Sequence, residues 1–123
     1  MNVVDSSGWL AYFADEPEAK YFQKQLCATS TLIVPTISIY EVFKVLLRET
    51  TENEALQAVA AMQKGMVIDL TTPLAMTASK LSMAYSLPMA DSIILATARR
   101  YNATVWTMDS DFKGIKGVRY FGK

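Results

Sequence analysis

The stretch TVWTMDSDFKG, Thr104 to Gly114, begins as a strand, with Val105, Trp106 and Met108 close together. It then stops on two acids one residue apart, Asp109 and Asp111. Two carboxylates beside a buried strand repel each other, and each makes the other harder to ionise. Asp5 stands in a similar place, directly after the apolar Val3-Val4. Asp91 is followed at helical spacing by Ile94, Leu95 and Ala98, so it shares a face with an apolar stripe. An unpaired charge on an inward face is costly. Each acid also has an ordinary reading. Asp5 would cap a turn, Asp91 would complement a helix dipole, and Asp109 with Asp111 would form a turn. Glu41 would bond back to Ser38 in a capping box, or pair with Lys44. Taken together, carboxylates gathered by folding need a cation. The sequence has no histidine and a single cysteine, Cys27, which excludes Ser-His-Asp catalysis, Cys-His catalysis and the usual zinc sites. Any metal held by these side chains is therefore hard and oxygen-loving, such as Mg²⁺ or Mn²⁺.

The elements that position these acids follow from periodicity and punctuation. NVVD is read as a short buried strand, with Asp5, Ser6, Ser7 and Gly8 supplying turn and cap chemistry. Pro17 opens a helix, PEAKYFQKQLCA, in which Cys27 is a small core residue. TLIVP is a second strand, stopped at Pro35. Ser38 begins an amphipathic helix with Ile39, Val42, Phe43, Leu46 and Leu47 on one side. A helix over Asn53–Lys64 ends at Gly65, and MVIDL is a third strand carrying Asp69, which is left out of the site. Thr72 caps a helix with Pro73 in its first turn, and Leu87-Pro88 separates it from MADSIILATARRY. ATVWTM is the fourth strand and VRYF an edge strand. Strands alternating with helices predict an α/β fold with a mainly parallel central sheet of four to five strands. In such sheets the crevice lies beyond the carboxyl ends of the strands, where Asp5 and Asp109 fall.

The chain has 123 residues, fits one domain (1–123) and is 51% apolar, enough for a hydrophobic core. Its formal charge is zero, so no global field recruits a polyanion. The C-terminal stretch nonetheless places Arg99, Arg100, Lys113, Lys116, Arg119 and Lys123 around Asp109 and Asp111. That pattern suits either a basic surround for a polyanion site or a solvated face. No apolar run reaches the ~20 residues that span a bilayer, and MNVVDSSGW lacks the form of a secretory signal. A cytoplasmic location without a membrane anchor is expected.

NVVDSS, SIYE, LPMADSIILATA and TMDSDF, in that order and in a chain of this length, resemble the PIN-domain ribonucleases, above all the VapC toxins of prokaryotic toxin–antitoxin pairs. The resemblance runs from Asn2 to about Phe121. It implies a PIN-like three-layer fold and a metal-dependent acidic pocket. Asp5, Glu41, Asp91 and Asp109 match the family acids that bind Mg²⁺ or Mn²⁺ and carry the catalysis. Asp111 matches a further acid often found there, and Ser7 and Thr107 match small polar residues near the pocket. The resemblance implies hydrolysis of RNA phosphodiesters by metal-activated water, leaving a 5′ phosphate and a 3′ hydroxyl. It also implies a cognate antitoxin and a homodimer. Trp9, Tyr12 and Phe13, close behind Asp5, are expected either to anchor the antitoxin or to belong to the core.

Two other magnesium-using folds fit less well. A haloacid-dehalogenase-like phosphatase needs Asp-x-Asp on the first strand, where this chain has Asp5-Ser6-Ser7. A response-regulator receiver needs its acidic pair after the first strand, whereas Asp109 and Asp111 come late. A non-catalytic PIN-like binding module is a third alternative, and the complete acidic set speaks against it.

Overall fold

The computed structural model describes residues 1–122. Five short strands form one sheet: β1 Asn2–Val4, β2 Leu32–Pro35, β3 Met66–Ile68, β4 Thr104–Thr107 and β5 Val118–Tyr120. Six α-helices connect them: α1 Ser6–Phe13, α2 Gln23–Cys27, α3 Thr36–Glu49, α4 Glu52–Met62, α5 Thr72–Tyr85 and α6 Met89–Arg100. The strand order is β3-β2-β1-β4-β5, and every pairing is parallel. The central β1 sets the register, with Val3 opposite both Ile33 and Val105.

Side chains alternate across the pleat, which divides the core into two layers. Val3, Ile33 and Val105 face one side and pack under Ile94, Leu95 and Ala98 of α6. Val4, Leu32 and Val34 face the other, against Trp9 of α1, Phe22, Leu26 of α2, Val42 of α3 and Met62 of α4. A third cluster, Leu74, Ala78, Ile93 and Ala96, locks α5 onto α6. Helices on both faces of a parallel sheet give the expected three layers.

The chain runs outward from β1 through β2 to β3, then returns to the other side of β1 for β4 and β5. The direction of winding reverses between β1 and β4, and a crevice opens beyond the carboxyl ends of strands at such a reversal.

Several local expectations change. The Pro17 helix divides into a 3₁₀ turn, Pro17–Tyr21, and the short α2, with Phe22 between them. Phe22 is fully buried, and its docking under the sheet breaks the helix. Cys27, the last residue of α2, is exposed rather than a core residue. A helix, α1, follows Asp5 directly where only a turn was anticipated. Thr71, not Thr72, caps α5. Gly65 has no left-handed backbone. Its hydrogen permits close packing, since a Cβ there would lie 2.9 Å from Val34 and 3.0 Å from the Leu32 carbonyl. Asp69 lies beyond β3 and is exposed, consistent with its exclusion from the site.

Candidate metal centre

Each acid reaches the crevice from a different element. Asp5 ends β1 and caps α1, and its amide donates to the Trp106 carbonyl at 3.1 Å, which ties it to β4. Asp91 lies in the first turn of α6. Asp109 follows β4 and caps the 3₁₀ turn Ser110–Phe112, its Oδ1 accepting from the Asp111 amide at 2.9 Å. The pair therefore forms the turn expected from its local sequence, and that turn leaves both carboxylates near Asp91. Carboxylate oxygens of Asp91, Asp109 and Asp111 come within 4.8 Å of one another. Their burial is graded: Asp91 is buried, Asp109 half-buried and Asp111 exposed.

Asp5 is held by a directed network. The backbone amides of Met108 and Asp109 donate to the Ser7 and Thr107 hydroxyls at 3.0 and 2.8 Å. With an oxygen lone pair so used, each hydroxyl turns its proton to Asp5: Ser7 to Oδ1 at 2.6 Å and Thr107 to Oδ2 at 2.7 Å. The Gly8 amide adds a longer bond to Oδ1 at 3.3 Å. Ser7 and Thr107 thus meet at one carboxylate, although they stand far apart in the sequence. The donors favour ionised Asp5, but burial outweighs them and lifts its carboxyl to about 6, with the Asp109 charge adding.

Glu41 approaches from α3. The helix begins at Thr36 after Pro35, so Ser38 lies inside it and the anticipated capping box does not form. Lys44 does not pair with Glu41 either; its ammonium lies over the Tyr40 ring. Freed from both structural roles, Glu41 faces the crevice. Burial raises its carboxyl, the Ser6 hydroxyl opposes this, and the Asp109 charge adds to the rise. Asp91 is raised furthest, to about 8, by burial first and then by Asp109, Asp5 and Glu41. Four acids therefore act on one another electrostatically, and all their donors are oxygen. Such a set suits a hard divalent cation, which neutralises the repulsion and favours the ionised forms.

A family model described as the PIN domain matches residues 3–118. The chain belongs to the PIN-domain family. Solved PIN-like structures agree over nearly the full length. A toxin–antitoxin complex from Klebsiella pneumoniae superposes with a TM-score of 0.85 at 23% identity, covering 100% of both chains. VapC20 of Mycobacterium tuberculosis, a sarcin–ricin-loop-cleaving toxin, superposes at 0.80 with 17% identity over 96% of this chain and 97% of that one. VapBC2 from Rickettsia felis, bound to a DNA fragment from its promoter, gives 0.75 at 15% identity over 98% and 97%. No curated protein sequence matches the chain.

Two pairs of alternatives in the surroundings of this PIN-domain site are narrowed. Trp9 is only 2% exposed and stacks on Phe13 inside the core, so it is no surface anchor. Tyr12 and Phe13 are half-buried and pack against the same cluster. The basic surround also disperses. From Asp91 to Arg100, α6 climbs about 13 Å away from the crevice. Arg99 donates to the Lys116 carbonyl at that far end, and Arg119 lies over the Trp106 ring. Lys123 lies outside the described residues. Charges adjacent in sequence are divided because α6 and β4 run in opposite directions.

Proposed function

We propose that this PIN-domain protein is a Mg²⁺- or Mn²⁺-dependent endoribonuclease, the VapC-type toxin of a toxin–antitoxin pair, formed by residues 1–123 as one domain and acting in the cytoplasm. The observation that carries this reading is the convergence of Asp5, Glu41, Asp91 and Asp109 at the winding reversal, with Asp111 beside Asp91 and Asp109. Asp91, Asp109 and Asp5 would hold the metal, with Glu41 completing the set. A divalent ion so held acidifies water and neutralises a phosphodiester. The protein's own part is to fix the geometry. Ser7 and Thr107 orient the Asp5 oxygens, α6 fixes Asp91 by its buried face, and the 3₁₀ turn sets Asp109. Asp111 is the most exposed of the three clustered acids. No histidine is needed for this chemistry, in keeping with the composition.

Three further expectations belong to the same reading: RNA as substrate, a cognate antitoxin that covers the site, and a homodimer. The structures from Klebsiella pneumoniae and Rickettsia felis support an antitoxin partner, since both are toxin–antitoxin assemblies. A cleavage assay on RNA tests the activity. The wild-type protein should cut with Mg²⁺ or Mn²⁺, stop in excess chelator and resume when the metal is restored. Asp91→Asn, purified in the same way, should be inactive, which excludes a contaminating nuclease. Cleavage that persists in chelator would refute the metal mechanism, and full activity in Asp91→Asn would make that acid structural.

A further inference from the structure

We propose that Ser38 is a positioning residue for Glu41, an inference that rests on the acids forming a metal centre. Ser38 is the third residue of α3, and Glu41 follows one turn later on the same face. Ser38 is 0% exposed, yet its Oγ has no hydrogen-bond partner. Glu41 Oε1 is likewise buried and unpartnered. The two groups are complementary. A hydroxyl has a proton to donate, whereas an ionised carboxylate oxygen can only accept.

Several other helical hydroxyls are satisfied locally. Ser79 and Thr97 donate to carbonyls one turn back, Ala75 and Ile93, at 3.0 and 2.8 Å, and Ser92 reaches Met89 at 2.7 Å. Four residues before Ser38 stands Val34, a β2 residue whose carbonyl lies outside the helix. Pro35, three residues before Ser38, is the N-cap of α3, yet Ser38 Oγ bonds neither its carbonyl nor any other acceptor. A buried polar group without a partner costs free energy, so its retention calls for a role. Cβ atoms one helical turn apart are about 5–6 Å from each other, and since no direct bond joins Ser38 Oγ to Glu41 Oε1, one bridging water is the link that fits. Through that water the Ser38 proton supports Oε1, while the Ser6 hydroxyl acts on the same carboxylate, and together they keep Glu41 beside Asp91 and Asp109. Partners of this kind orient ligating carboxylates, and their loss weakens metal binding without removing a ligand.

The experiment compares wild type, Ser38→Ala and Ser38→Thr, with Mn²⁺ as the probe. Thermal melting is followed in chelator and across a Mn²⁺ titration, and RNA cleavage is resolved into kcat and KM. Ser38→Ala should melt at or above wild type in chelator, because an unpaired hydroxyl has gone. It should need about tenfold more Mn²⁺ to reach its half-maximal melting shift. Its kcat should fall while KM for RNA stays unchanged, and Ser38→Thr, which keeps a hydroxyl, should recover both values. A purely structural hydroxyl would give the reverse: lower melting in chelator and a wild-type Mn²⁺ midpoint. That result overturns the proposal while leaving the metal centre in place. Failure of wild type itself to respond to Mn²⁺ refutes the metal centre and Ser38's role with it.

Discussion

Burial and the charges of Asp109, Asp5 and Glu41 hold the Asp91 carboxyl near 8 in the folded protein, against an ordinary value of 3.8. For an acid, that sign means ionisation opposes folding. In the metal-free protein the folded state keeps its proton while the unfolded chain has lost it, so stability falls as pH rises from about 4 to about 8. Asp5 adds to the slope only up to about 6. Asp91→Asn removes the carboxyl whose ionisation opposes folding most, and it leaves no capping bond behind. In chelator at pH 8 this variant should be more stable than wild type by on the order of 1–3 kcal/mol, below the full ~1.4 kcal/mol per pKa unit because solvent screens part of the site. Its stability should also be nearly flat between pH 6 and 8, and its gain on adding Mg²⁺ should be smaller. Denaturant unfolding across that range measures all three. Lower stability for Asp91→Asn at pH 8, or an unchanged slope, would contradict a repulsive pocket. Asp5→Asn should gain less, since Ser7, Thr107 and Gly8 donate to that carboxylate.

Helix α1 carries Ser7 and takes its cap from Asp5, so its seating on the sheet sets part of the site. Gly8 allows that seating. A Cβ at this position would lie 2.5 Å from Val4 Cγ1 and 3.0 Å from Phe22 Cδ1. Both neighbours are fully buried, which leaves them little room to move. Gly8→Ala should therefore cost about 1–3 kcal/mol, read as a lower urea midpoint. Because α1 must shift to accept the methyl group, RNA cleavage should fall as well, even where the variant remains folded. A Gly8→Ala protein with wild-type midpoint and activity would show that α1 does not bear on the crevice. The helix was not anticipated from sequence, because its eight residues, SSGWLAYF, open with small polar residues that read as a turn. Packing of Trp9 and Ala11 against the core holds it in place.

Phe13 lines a cavity of about 400 Å³ with Leu46, Thr50, Glu54, Gln57 and Ala58, between α1, α3 and α4. Tyr12 lines a smaller one with Leu26, Cys27, Thr29, Ala61 and Lys64. These half-buried aromatics are suited to anchor an antitoxin, whereas Trp9 supports them from below. Phe13→Ala and Tyr12→Ala should each weaken binding of a cognate antitoxin by at least about tenfold, a typical loss for an interface anchor. Trp9→Ala should instead destabilise the fold by about 3–5 kcal/mol. Calorimetric titration and urea unfolding separate the two effects. Wild-type antitoxin affinity in both aromatic variants would place the interface elsewhere. Sedimentation of the free protein tests the expected homodimer. No single helix among the described residues is long and apolar enough to cross a membrane.

The parallel α/β architecture was legible in the alternation of strand and helix patterns. So was the kind of ligand on offer, because oxygen donors are what a histidine-free chain with one cysteine has left. Asp91 was legible as well, since helical spacing alone aligns it with Ile94, Leu95 and Ala98. Glu41 was not. Its local sequence favoured a capping box, and only the start of α3 at Thr36 removes that option. The convergence of Ser7 and Thr107 on Asp5 depends on β4 returning beside β1, a pairing across about a hundred positions that no local window contains. The basic cluster, left open between a polyanion surround and a solvated face, shows the opposite effect. Arg99 and Arg100 were carried to the far end of α6 by the antiparallel course of α6 and β4, away from the acids that follow them in sequence. Residue type and periodicity decide what a segment can be. Strand order and helix direction decide which segments meet, because those depend on contacts between residues far apart in the chain.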